Sequence, residues 1–317
     1  MKKIVIFGGG SGLSQILKGL KLFPIEITSV VTVADNGKST GRLRKEFSIP
    51  AVGDISKVLI AMSEIDNDIT ELLNYRFTAS KTLGDHSIKN LLLTALLDIK
   101  GDFKHALPVM EELLNTKGRI LPLTEENVDL IGRTINDKFI VGEAEITASK
   151  EQIIEILYNK KFKVNPDILE AIEEADLILI SSGSLFTSIL PHIIVKDIKN
   201  SINQSRTKVM YLSNLVTQPG ETDGFQVSNH LKLIQQYINV DIVIANNTEI
   251  EPNVAEYYAT KEQKDPVHLD IENIKKLNIE VIGDKIYTIE DDSLRHDSLK
   301  TAYLIFSYLM KNDDIYN

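Results

Sequence analysis

The apolar positions of the chain follow two rhythms that alternate along most of its length. Ile4, Val5, Ile6 and Phe7 form a short continuous run that predicts a strand over residues 3–7. Leu13, Ile16, Leu17 and Leu20 then recur at helical spacing. A second strand is predicted over residues 25–33, after Pro24. Strand, turn, helix and strand in that order open a doubly wound sheet. From Asp54 to about Asn115 the pattern is helical. It is carried by Val58, Leu59 and Met62, then by Ile88, Leu91, Leu92, Ala95 and Leu96. Residues 119–124, 128–134 and 139–147 predict a small antiparallel insertion, placed around 116–165.

Alternation then resumes. Residues 176–181, 208–212 and 241–245 are continuous apolar runs, as buried parallel strands should be, with a helix over 231–237. Late strands over 280–282 and 285–289 precede a closing helix. Asp297 is placed to cap it, with Leu299, Tyr303, Leu304, Phe306 and Leu309 mostly on its buried face. No repeat, low-complexity tract or linker interrupts the chain. The expectation is one α/β domain over residues 1–317. Its sheet is Rossmann-like, doubly wound and mostly parallel, with a helical segment and a small β-rich insertion.

Composition narrows the function. The 317 residues are 43 % hydrophobic and 25 % charged, enough for a normal core without staples. There is no cysteine, which excludes a disulfide scaffold, a thiolate metal site and a cysteine nucleophile. This fits a reducing, cytoplasmic setting. The apolar stretch near Met1 is too short for a signal peptide, and no later segment reaches membrane-spanning length without charges. The net charge of −10 disfavours general binding to nucleic acid. Lys38, Arg42, Arg44 and Lys45 still form a local basic patch.

The candidate chemistry begins at Gly8, Gly9, Gly10, Ser11 and Gly12, between the first strand and the first helix. Glycines let a backbone approach a ligand closely. The helix start offers unpaired N–H groups and partial positive charge. Phosphate binding is therefore expected here. The spacing is not that of the dinucleotide fingerprint, because Leu13 or Gln15 would stand at its third glycine. Asp35 nonetheless lies where a ribose-binding acid would, so NAD stays open as a ligand. Gly37-Lys38-Ser39-Thr40 imitates the end of a P-loop, but Thr32 occupies the position of the upstream glycine.

Other candidates lie at strand ends and helix starts. Asp35 and Asn36 follow the second strand. A carboxylate there can hold a hard cation such as Mg²⁺ or accept from a ribose. Arg42 and Arg44 are placed to clamp phosphate. Asp54 heads a helix, as a cap or a ligand contact. His86 and Asn90 are four residues apart and share a helix face, with Leu91, Leu92 and Leu96 expected on the apolar side. His86 is a candidate acid, base or phosphate contact. The remaining histidines have no metal-ligand spacing. Gly183 and Ser184 end one buried strand; Asn214, Gln218, Gly220 and Glu221 follow another. These strand ends are expected to line one polar crevice.

These residues together resemble the gluconeogenesis factor family. The matching motifs are GGGSGL from Gly8, TVADNG from Thr32, GRLR from Gly41, GDI from Gly53 and GSLFTSILP from Gly183. SNLVTQPGETDGF from Ser213 and RHD from Arg295 complete the set, in order over nearly the whole chain. The family is grouped with the 2-phospho-L-lactate transferases. The resemblance implies a Rossmann-like fold, binding of UDP-sugars, and a role in cell shape and in growth on gluconeogenic carbon sources. It implies protein partners in cell-wall regulation, and a homo-oligomer is open. In the transferase branch it implies a metal at Asp35 and transfer of a phospholactyl group. The chain departs from the pattern at Lys38, Asp85 and Lys89, where glycine is usual. Three readings follow: a UDP-sugar-binding regulator, a Mg²⁺-dependent phospholactyl transferase-like enzyme, and an NAD-binding oxidoreductase. GDP and NAD are the alternatives to a UDP-sugar as the nucleotide ligand.

Overall fold

A computed structural model of the protein describes residues 1–311, apart from 79, 81, 150, 291 and 292. Its strands, in chain order, are β1 (Lys2–Gly8), β2 (Ile25–Val31), β3 (Arg119–Pro122), β4 (Leu130–Thr134), β5 (Phe139–Val141) and β6 (Ile153–Tyr158). They continue as β7 (Leu177–Ile180), β8 (Lys208–Leu212), β9 (Ile242–Asn246), β10 (Glu280–Asp284), β11 (Tyr287–Glu290) and β12 (Ser293–His296). Seven of them form one sheet in the order β10-β9-β8-β7-β1-β2-β3, and every neighbouring pair is parallel. The chain steps outward from β1 to β3, crosses back to β7, and steps outward again to β10. The order therefore reverses between β1 and β7, where open α/β sheets hold their ligands.

The central strands are buried on both faces, which explains why they read as unbroken apolar runs. Ile4 to Phe7 and Leu177 to Ile180 are all buried. The first seven helices are α1 (Gly10–Leu20), α2 (Lys38–Phe47), α3 (Gly53–Met62), α4 (Asn67–Asn74), α5 (Ile88–Lys100), α6 (Phe103–Leu113) and α7 (Glu143–Thr147). Leu13, Ile16, Leu17 and Leu20 of α1 are fully buried, contributing roughly 2 kcal/mol each. Among the described residues, no helix is long and apolar enough to cross a membrane.

Four expectations need correction. Residues 119–122 join the main sheet as its edge strand β3, beside β2, rather than the insertion. The antiparallel unit is β5-β4-β6, and its third strand, β6, lies within the range expected for the insertion but was not among the strands expected there. Residues 143–147 are helix α7, not strand. The closing helix, Ser298–Lys311, buries Thr301, Ala302, Ile305 and Leu309, while Leu299 and Tyr303 face outward. Small residues point inward there because α1 lies close: a Cβ on Gly19 would sit 2.9 Å from that of Ala302. Asp297 does accept from the N–H of Lys300, as a cap should.

Two buried devices hold the loops at the carboxyl ends of the strands. Arg44 of α2 is buried, and its guanidinium donates to the carbonyls of Ala34, Asp35 and Val128, to Asn127 and to the carboxylate of Asp129. It ties the loop after β2 to the segment leading into β4 and is not available to a ligand. His192 and His296 are the second device. The Nε2–H of His192 donates to the carbonyl of Gly8, and that of His296 to the carbonyl of Ser213. Burial pushes both imidazoles down to about 4.

Arg44→Lys should lower stability by about 3 kcal/mol, because one ammonium cannot replace a fork shared among these acceptors. Urea unfolding measures it, and an unchanged midpoint would refute the clamp. The histidines predict a pH dependence. Folded, they stay neutral down to about 4; unfolded, they protonate near 6.5. The unfolded chain therefore binds more protons between these values, and stability falls as pH falls through that window. His296→Gln should show a shallower fall than the parent between about pH 6.5 and 4.

Candidate functional site

The crevice is built from the carboxyl ends of β1, β2, β7 and β8. At its centre α1 begins at Gly10, with Gly9 extended before it. No side chain caps the first turn, and that turn holds no acidic residue. Its N–H groups and positive dipole end are thus available to an anion. Gly10 has φ of +60°, where a side chain is strained. A Cβ placed on it would meet only Asp54, 3.8 Å away, so the space in front of the loop is open. Gly12 faces the other way. A Cβ there would sit 2.3 Å from the carbonyl of Ser182, so only glycine lets α1 lie this close to the loop after β7.

That second loop is fastened from β8. The side chain of Asn214 accepts from the N–H of Gly183 and donates to its carbonyl, at 2.9 and 2.8 Å. Asn214 thus acts as an extra piece of backbone. Ser184 donates at 2.6 Å to Glu221, which also accepts from Gln218. Burial pushes the Glu221 carboxyl up to about 7. Gly220 has a positive φ, and its carbonyl accepts from Ile153 at the start of β6. It belongs to the wall behind Glu221.

Carboxylates gather on the opposite side of α1. Asp35 accepts from the N–H of Gly37 at 2.7 Å. Its other oxygen lies at the start of α3, 2.5 Å from where a Cβ on Gly53 would be. The next residue, Asp54, lies 3.0 Å from a Cβ position on Gly9 and accepts from Lys57 at 2.8 Å. A third acid arrives from the insertion. Asn36 accepts from the N–H of Ala144 and donates to Glu145, docking α7 against the loop after β2. This sets Glu143 beside Asp35 and Asp54. Burial and those two carboxylates push its carboxyl well above the ordinary glutamate range, with a hydrogen bond to Asp35. Lys57 is held well charged by Asp54.

The remaining expected residues lie elsewhere. Ser11 is exposed beside the loop. Arg42 is exposed and donates to the carbonyls of Gly84 and Lys38. His86 and Asn90 are buried with Ser39 and Ser56, joining α2, α3 and α5. Ser39 lies 2.9 Å from Nδ1 of His86, and Ser56 donates to Asn90 at 2.5 Å. Burial and the nearby Arg42 lower the pKa of His86. The fully buried face of α5 carries Asn90, Leu93, Thr94 and Leu97; Leu91 and Leu96 pack against the core only in part, and Leu92 is exposed. Glu143 and Lys57 were not expected at the site. Lys57 was findable, three residues after Asp54 on one helix face. Glu143 had no local signal.

The geometry can be set beside known proteins. Residues 4–287 match the family model described as 2-phospho-L-lactate transferase CofD. A gluconeogenesis factor of Bacillus subtilis is 39 % identical over 311 residues, covering 97 % of this chain and 98 % of its own. One from Halalkalibacterium halodurans is 40 % identical over 308 residues, covering 96 % and 95 %. A crystal structure of a UPF0052-family protein from Bacillus halodurans superposes with a TM-score of 0.92 at 39 % identity, over 96 % of this chain and 99 % of that one. The chain therefore belongs to the CofD family, as a relative of the gluconeogenesis factors along almost its whole length.

Proposed function

We propose that the protein is a nucleotide-sugar-binding regulatory factor, with a UDP-sugar as its ligand and with growth and shape under gluconeogenic conditions as its setting. The observation that carries the nucleotide part is the uncapped start of α1, open in front of Gly10 and placed at the switch point of the sheet. The N–H groups there receive the diphosphate. The polar strand ends at Ser184, Asn214 and Gln218 face the rest of the ligand. The gluconeogenesis factor names of the relatives support the physiological setting.

A second reading, a Mg²⁺-assisted phospholactyl transferase-like enzyme, draws on the acidic cluster and on the family description. Among the described residues, no group of three or more His, Asp or Glu side chains is arranged to hold a metal by itself. The residues fit a cation that takes one or two carboxylates and completes its shell with phosphate oxygens, the usual habit of Mg²⁺. Asp35 and Asp54 would hold it. Such an ion neutralises phosphate charge. Glu143 supplies a protonated carboxyl beside them, which limits the charge to be held there.

Gly10→Ala should weaken UDP-sugar binding about tenfold or more by calorimetry, since its methyl enters the ligand's space rather than the core. A folded variant with parental affinity would refute the loop assignment. Mg²⁺ should tighten binding in the parent and not in Asp35→Asn; equal enhancement in both would remove Asp35 as its ligand. Glu143 binds its proton more tightly folded than unfolded. It therefore favours folding below the ordinary glutamate pKa and withdraws that support as pH rises. Glu143→Gln should flatten the loss between about pH 5 and 8, read from urea midpoints.

A further inference from the structure

Beside the start of α1, outside the crevice of the strand ends, lies a basin of about 540 Å³ between α1, α3, α4, α5 and the β11–β12 hairpin. Five cationic side chains line it: Lys18, Lys21, Lys57, Lys89 and Arg295. Among the described residues, one carboxylate, Glu290, lines it with them, and it accepts from Gln15. In a chain of net charge −10, this is a marked local excess of positive charge.

The partners of these lysines sharpen the point. Among the described residues, Lys57 is the one with a carboxylate, Asp54. Lys18 donates to the amide oxygen of Gln15, Lys21 to the carbonyl of Ser63, and Lys89 to the amide oxygen of Asn74. Among the described residues these three bond only neutral acceptors, so their charges are uncompensated by contact. Lys89 is placed against its electrostatic interest. It is 9 % exposed, and it lies in the first turn of α5, where the helix dipole opposes a cation. Burial, Lys57 and Arg76 bring its pKa down to about 8. An anion in the basin would reverse each of these costs.

We infer that the basin is a second anion site, which takes a phosphate-bearing small molecule of at least two negative charges. It abuts the nucleotide crevice through Ser11 and Gln15, which line both. A molecule held there would therefore lie beside whatever the glycine loop holds.

The test uses inorganic pyrophosphate as the probe, by calorimetry on the full chain at low and at raised salt. Three proteins are compared: the parent, the loop variant Gly10→Ala, and the double variant Lys18→Gln/Lys89→Gln. Binding should persist in the loop variant, fall about tenfold or more in the lysine variant, and weaken with salt. Binding that is absent in the parent, lost in Gly10→Ala, or parental in the folded lysine variant overturns the inference. UDP-sugar binding is measured in the same proteins. Its failure in the parent counts against the nucleotide reading alone. The lysine variant should keep it within about twofold, as its side chains face the basin.

Discussion

The contact between Gly12 and the carbonyl of Ser182 is the constraint from which the site follows. It lets the first turn of α1 lie directly against the loop after β7, across the reversal of strand order. Both loops are then held from behind by neutral hydrogen bonds. His192 holds the carbonyl of Gly8, and Asn214 holds both backbone groups of Gly183. His296 reaches from β12 to Ser213. A loop fixed by buried, uncharged groups keeps its free N–H groups aimed at one place without adding charge that would compete with an anion. Preorganisation of this kind reduces the ordering cost that binding would otherwise carry.

The fold was legible where contacts are local. The run of β1, the glycines after it and the period of α1 lie within twenty residues or so, and each element's own pattern determines it. Residues 119–122 misled because their partner, β2, precedes them by a helical segment of five helices; nothing nearby distinguishes an edge strand of a parallel sheet from a hairpin strand. The helix α5 misled for a different reason. Its inner face is polar at Asn90 and Thr94, and leucines are left half-exposed on the other side. Hydrophobic periodicity assumes that polar means outward, and Ser39 and Ser56 break that assumption by pairing with His86 and Asn90. The same rule explains the closing helix, where close approach to α1 favours Ala302 over larger side chains.

The site was legible in proportion to how much of it the glycine loop and strand ends carry. Gly10, Asp35 and Asn214 announced themselves by residue type at a strand's carboxyl end, and Asp54 by its place at a helix start. Glu143 could not, because it arrives by a docking event. Asn36 fixes α7 through the N–H of Ala144 and the carboxylate of Glu145, and only then does Glu143 meet Asp35. Arg44 shows the converse error. An arginine in a basic patch just after a strand's carboxyl end looks like a phosphate clamp from its type alone. Here every arm of its fork is committed to loop carbonyls and to Asn127 and Asp129, so it positions Asp35 rather than a ligand.

The charges around α1 are arranged in two opposed groups, and Lys57 connects them. Its ammonium bonds Asp54, whose other oxygen faces Gly9, yet it also lines the basin with Lys89. Asp54 raises the pKa of Lys57, and Lys57 in turn lowers that of Lys89. A change of charge on the acidic side would therefore reach the basic side through one side chain. An ion or a proton added near Asp54 would weaken its hold on Lys57 and leave more of that lysine's charge for the basin. An anion held in the basin, as inferred above, would compete with Asp54 for the same ammonium. Such a coupling would be reciprocal, since both sides bias one group. Its range is short enough that salt would screen it little between partly buried groups.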